Sequence, residues 1–211
     1  MNREYYFDHS ATSNPKPKIV VDTVLEAITT FNGNPSRSSY KKNISLDRKI
    51  LEVREKLASF FNISNPLQIA FTKNSTESLN FAIKGLGFEN CHIITSVLEH
   101  NSVLRPLNYL KDNKGVEISY ITPSKDDKKV IKNITSLIKE NTKAIVINHI
   151  SNVTGYIFDI EEIGKIVREH NLIFIVDASQ SAGFYPIDVT QDNVDILCFT
   201  GHKSLMGIQG I

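Results

Sequence analysis

After Pro66 the chain alternates between short runs rich in β-branched and aromatic residues and segments with helical spacing, and this alternation constrains the fold more than any other feature. The β-rich runs are Ile69 to Thr72, His92 to Ser96, Glu117 to Ile121, Ala144 to Ile150, Ile173 to Ala178 and Ile196 to Thr200. Helical patterns lie between most of them, near Thr76 to Lys84, Ser102 to Lys111, Lys128 to Lys139 and Ile160 to His170. Parallel strands need crossovers, and helices supply them, so the pattern predicts an α/β layer with a mostly parallel sheet sandwiched by helices.

Two amphipathic helices are predicted upstream. One runs from Pro17 to Phe31, with Ile19, Val20, Val24, Ala27, Ile28 and Phe31 at helical spacing; the other runs from about Ser45 to Phe61 on a stripe of Leu46, Ile50, Val53, Leu57 and Phe60. Asn32 to Asn43 reads as a polar loop between them. With 211 residues, 41% of them apolar, the chain can bury one substantial core. Its 24 basic and 23 acidic side chains leave no excess charge to attract a phosphate backbone or an anionic membrane. Cys91 and Cys198 each sit in an apolar run and read as reduced core thiols, so a reducing, cytoplasmic setting is expected. Met1 to Phe7 lacks the pattern of a signal peptide, no stretch has the length of a membrane span, and no metal site is expected.

In open α/β sheets, ligands gather beyond the carboxyl ends of the strands, where loops converge and helix N-termini point. The polar residues at those ends are therefore the candidates. Lys203, in Thr200-Gly201-His202-Lys203-Ser204, is flanked by small residues and has the amine needed for a Schiff base, although a solvated loop is the commoner place for a lysine. Asp177 ends the apolar run Ile173-Phe174-Ile175-Val176, where a carboxylate needs a cationic or donor partner. A protonated pyridine nitrogen is one such partner; a helix cap or an ordinary ion pair is another. Gln180 is placed to reach a ring hydroxyl or to satisfy its own loop. Asn74-Ser75-Thr76-Glu77 opens a helix, so it is either an anion site suited to a phosphate ester or a plain cap. His100, beyond Val97-Leu98-Glu99, has a ring that can stack on a planar ligand, although most histidines are structural. Each signal is weak alone, but together they supply a phosphate cradle, a stacking ring, a pyridine partner and an amine.

The chain resembles the class V aminotransferases and, within them, the cysteine desulfurases and selenocysteine lyases. The likeness runs from Tyr6-Phe7-Asp8-His9-Ser10-Ala11-Thr12 through Gly33-Asn34-Pro35-Ser36 to the end. It is most specific at Phe71 to Glu77, Ser151-Asn152-Val153-Thr154-Gly155, Val176-Asp177-Ala178-Ser179-Gln180 and Thr200-Gly201-His202-Lys203. The resemblance implies a fold type I pyridoxal 5'-phosphate transferase large domain. Residues 1–15 would be a segment near the active site, and 16–211 an incomplete cofactor-binding domain. It implies that Lys203 carries the cofactor, Asp177 binds its ring nitrogen, and Ser75, Thr76, Thr200 and His202 hold its phosphate. His100 would stack on the ring, and Asn152 and Gln180 would reach its hydroxyl side.

It further implies a homodimer, an amino-acid substrate such as L-cysteine, a sulfur-acceptor protein, and a catalytic cysteine, substrate arginine and small domain beyond Ile211. Neither Cys91 nor Cys198 matches the nucleophile. His9-Ser10 stands where the family usually has Asn-Ala, and Asn74-Ser75 where Gly-Ala is frequent. The same cofactor residues would serve transamination, epimerisation or selenocysteine cleavage. An inactive cofactor-binding or dimerisation fragment is the reading from another class.

Overall fold

The computed structural model of the chain describes residues 5–31, 33–35 and 40–210. Its frame is a five-stranded sheet in the order β2-β1-β3-β4-β5, with every described ladder parallel. The strands are β1 (His92–Ser96), β2 (Glu117–Ile121), β3 (Thr142–Asn148), β4 (Ile173–Asp177) and β5 (Ile196–Cys198). Helix α4 (Asn101–Lys114) joins β1 to β2, α5 (Asp127–Leu137) joins β2 to β3, and α6 (Ile160–Glu169) joins β3 to β4. Helix α3 (Ser75–Gly85) precedes the sheet and packs on α4.

The apolar strand runs have a simple cause, since each interior strand is covered on both faces. Along β3, Ile145 and Ile147 enter one core with Phe174 and Val176 of β4, while Ala144 and Val146 enter the other with Ile175. The first core is closed by α5 and α6 through Ile134, Ile163 and Val167. The second is closed by α3 and α4 through Leu79, Ile83, Val103 and Leu107. Asp126 caps α5 and Asp159 caps α6, each side chain accepting a first-turn N–H.

Three expectations need correction. Ile69 to Thr72 is not a strand: a 3-10 turn over Pro66–Gln68 leads into irregular backbone, and no described strand lies alongside it to complete a ladder. Phe71 is instead exposed beneath the Arg54 guanidinium, 5.3 Å from the ring centroid. Helix α2 (Lys41–Phe60) starts inside the segment read as a polar loop, while Asn32 and residues 36–39 lie outside the described residues. Helix α1 (Lys18–Thr30) forms as its spacing predicts but buries nothing; Ile19, Leu25 and Ile28 are 71%, 62% and 66% exposed. Periodicity marks an apolar face without saying what covers it. Lastly, β5 ends at Cys198, so Thr200 sits on the loop beyond it rather than on the strand, in the same loop as Lys203.

Candidate functional site

A cleft of about 370 Å³ opens beyond the carboxyl ends of β1, β3, β4 and β5. Ser75, Thr76, His100, Asn152, Asp177, Gln180, Thr200, His202 and Lys203 all line it, so every candidate taken from the sequence is brought to one place. A larger cavity of about 910 Å³, beside His149 and Tyr185, holds none of them.

At one end of the cleft, the N-terminus of α3 is set by Asn74. Its side chain accepts the Glu77 N–H at 2.9 Å, and Glu77 in turn accepts the Lys73 N–H at 2.8 Å. Ser75 and Thr76 occupy the first turn, whose N–H groups have no intrahelical acceptor. That turn suits an anion. The cap and the anion site are therefore compatible readings of the same residues.

His100 caps α4: its Nδ1 accepts the Ser102 N–H at 3.1 Å and lies 2.5 Å from Ser102 Oγ. Because Nδ1 is an acceptor here, the network assigns the ring proton to Nε2. Ser102 Oγ also lies 3.2 Å from Thr76 Oγ1, which ties the anion end of the cleft to the imidazole. Sequence reasoning missed Ser102, as it missed Asn148, which also lines the cleft; neither lies in a motif.

Asp177 ends β4 only 4% exposed. Its Oδ1 accepts the Ser179 N–H at 2.9 Å and the Ser179 hydroxyl, but no ion pair within 4.0 Å forms on it among the described residues. Burial raises its pKa, while the Ser179 hydrogen bonds and the charge of Lys203 act in the opposite direction. Lys203, half-buried, is pushed below the ordinary lysine range by burial, partly offset by Asp177. A lowered pKa makes a lysine a better nucleophile toward a carbonyl. Together these groups can hold an anion at α3, a cationic group at Asp177 and a reactive carbonyl at Lys203.

The loop bearing Lys203 is fixed from two sides. Gly207 donates its N–H to Gly201 O at 2.7 Å, and a side chain at Gly207 would come within 3.0 Å of that oxygen. The N-terminal segment supplies the second side, since His202 Nδ1 lies 3.1 Å from Thr12 Oγ1 and Gln180 Nε2 donates to Ser10 O at 3.2 Å. Cys91 and Cys198 are buried, as expected of packing residues, and burial pushes the Cys198 thiol up to about 12.

A parallel α/β sheet with its lysine site beyond the strand ends defines the class as the fold type I transferase large domain. The family model for aminotransferase class V matches residues 5–211, and the chain belongs to that family. The cysteine desulfurase IscS of Vibrio campbellii is 35% identical over 218 residues, covering 100% of this chain and 53% of that protein. The apo structure of a cysteine desulfurase from Thermococcus onnurineus NA1 superposes with TM-score 0.88 at 34% identity, covering 97% of this chain and 51% of the other. A structure of SspA in complex with cysteine gives TM-score 0.86 at 34% identity, covering 97% and 59%. The chain thus spans about half the length of the curated relatives it matches.

Proposed function

We propose that this chain is the cofactor-binding part of a pyridoxal 5'-phosphate-dependent cysteine desulfurase, acting on L-cysteine to give alanine and an enzyme persulfide. The observation that carries the reading is the buried carboxylate of Asp177, which shares the cleft with Lys203 and has no ion-pair partner among the described residues. A protonated pyridine nitrogen would supply the missing cation. The groups fit the rest of the cofactor as well. Ser75, Thr76, Thr200 and His202 would hold its phosphate, His100 would lie against the ring, and Asn152 with Gln180 would serve the hydroxyl side.

The bound cofactor acts as an electron sink for charge developing on the substrate α-carbon. The chain's own residues do the rest. Lys203 Nζ would hold the cofactor and is the amine placed to move a proton at the substrate α-carbon, and Asp177 would set a negative charge against the ring nitrogen. His100, with Nε2 carrying the proton, is the nearby donor. The attacking thiolate is neither Cys91 nor Cys198, both of which are buried and have raised pKa values. Similarity to cysteine desulfurases and to a cysteine-bound structure supports this substrate over the other amino acids the family handles.

We also read the chain as part of a cytoplasmic homodimer that hands sulfur to an acceptor protein. The exposed apolar residues of α1 and of Phe7 and Phe184 support a covering partner, and none of the described helices is long and apolar enough to cross a membrane. Titration of the cofactor-loaded chain with L-cysteine tests the substrate. A saturable change in the visible spectrum with L-cysteine, and a much weaker one with L-serine, is expected; equal responses would return the reading to a general class V enzyme.

A further inference from the structure

Two buried carboxyl groups lie close enough at this site to interact, Glu99 at 8% exposure and Asp177 at 4%. Glu99 Oε1 is well served, accepting the Ser96 hydroxyl at 2.5 Å and the Asn148 N–H at 3.0 Å. Its Oε2 is buried with no donor in reach. Asn148 Nδ2 donates to Leu98 O at 2.6 Å, and this fixes the amide, because the reverse orientation would set oxygen against oxygen. The fixed amide leaves Asn148 Oδ1 also buried and without a donor. Two acceptors, on residues already joined by a hydrogen bond, are thus each buried without a donor. Unsatisfied buried acceptors of this kind are rare and costly.

Two neighbouring buried carboxylates do not both ionise readily. Asp177 has the stronger claim to the charge, with two donors from Ser179 and the field of Lys203 in its favour. Glu99 has no such cation. The titratable group acting on it is Asp177 of β4, while β1 contributes Ser96 and β3 contributes Asn148, neither of which titrates. We propose that Glu99 is a positioning residue that keeps its proton at neutral pH and donates it from Oε2 to Asn148 Oδ1, leaving Asp177 as the negative charge of the cleft. Burial agrees, pushing the Glu99 carboxyl up to about 8. The consequence for catalysis rests on the pyridoxal phosphate reading, in which an ionised Asp177 faces a protonated ring nitrogen.

Infrared spectra of the cofactor-free chain, with ¹³C-labelled glutamate, test the protonation. At neutral pH the spectrum should show the carbonyl band of an un-ionised glutamic acid that fades as pH rises through about 8 and is missing in Glu99→Gln. Absence of the band at neutral pH overturns the proposal. In Asn148→Ala the band should persist and move to higher frequency, and a band that does not move overturns the acceptor assignment. Should Glu99→Gln fail to fold, the labelled native chain still decides, because Glu99 is the one buried glutamate among those described.

Cofactor binding gives the second readout. A neutral amide can copy both the donor and the acceptor of the protonated acid, so Glu99→Gln should bind pyridoxal phosphate within about twofold of the native chain, and Glu99→Leu about tenfold more weakly. Equal weakening by both variants would show that the charge is needed and overturn the proposal. If even the native chain binds no cofactor, the functional reading fails while the infrared result stands by itself.

Discussion

The carbonyl oxygen of His202 lies 2.9 Å from the Lys16 ammonium, across 186 residues of chain. The same oxygen accepts the Ser13 N–H at 3.1 Å, the Ser13 hydroxyl at 3.1 Å and the Thr12 hydroxyl at 3.2 Å. The N-terminal segment therefore holds the residue immediately before Lys203. Ser13→Ala should cost about 1 kcal/mol and Lys16→Met about 1–2 kcal/mol in urea unfolding. Both should also raise the cofactor dissociation rate, measured by loss of the visible band on dilution. Unchanged dissociation would mean that this clamp has no bearing on the lysine.

His149 predicts an acid-sensitive stability. Burial lowers its pKa to about 4 from the ordinary histidine value of 6.5, so the unfolded chain binds the extra proton between those values. Its contribution to stability is full above the unfolded pKa and is lost as pH falls from about 6.5 to about 4. The unfolding free energy of the native chain, read from denaturant titrations, should fall across that window by up to about 3 kcal/mol, and His149→Gln should flatten the decline. An unaltered slope in the variant would assign the acid sensitivity elsewhere.

Cys91 and Cys198 should resist an aromatic disulfide reagent in the folded chain and react on addition of denaturant. Both thiols are buried and raised above the ordinary cysteine range, which suppresses the reactive thiolate. Rapid labelling of Cys198 under native conditions would contradict its place behind the cleft.

Gly164, in the middle of α6, tests the packing behind β4. A Cβ there would stand 2.0 Å from the Asp192 backbone oxygen, and backbone cannot swing aside as a flexible side chain can. Gly164→Ala should destabilise by about 2–4 kcal/mol despite the better helix propensity of alanine, read as a lower thermal midpoint. Stabilisation instead would show that the 190s loop moves freely.

How much of this was legible in the sequence follows from what sets each feature. Ile145 and Phe174 lie in continuous apolar runs, so their strands announce themselves. Asp177 and Lys203 were legible because each lies in a short motif just past an apolar run, Val176 to Gln180 and Thr200 to Lys203, and the signals converge although each is weak alone. Ser102 was not, since its role depends on Thr76, 26 residues away, and Asn148 depends on Leu98, 50 residues away. Ile69 to Thr72 has strand composition, but composition cannot say whether a partner strand is present. The same limit applies to α1, whose apolar stripe is plain in the sequence and whose covering surface is not.

The most direct test of the central claim is cofactor loading. The chain is incubated with pyridoxal 5'-phosphate, freed of excess and reduced with borohydride, and its peptides are then weighed, alongside Lys203→Ala. The native chain should show a visible absorption band lost on reduction and a phosphopyridoxyl mass on the peptide containing Lys203, with neither in the variant. A folded native chain that shows no band, or carries the mass on another lysine, would contradict the central claim.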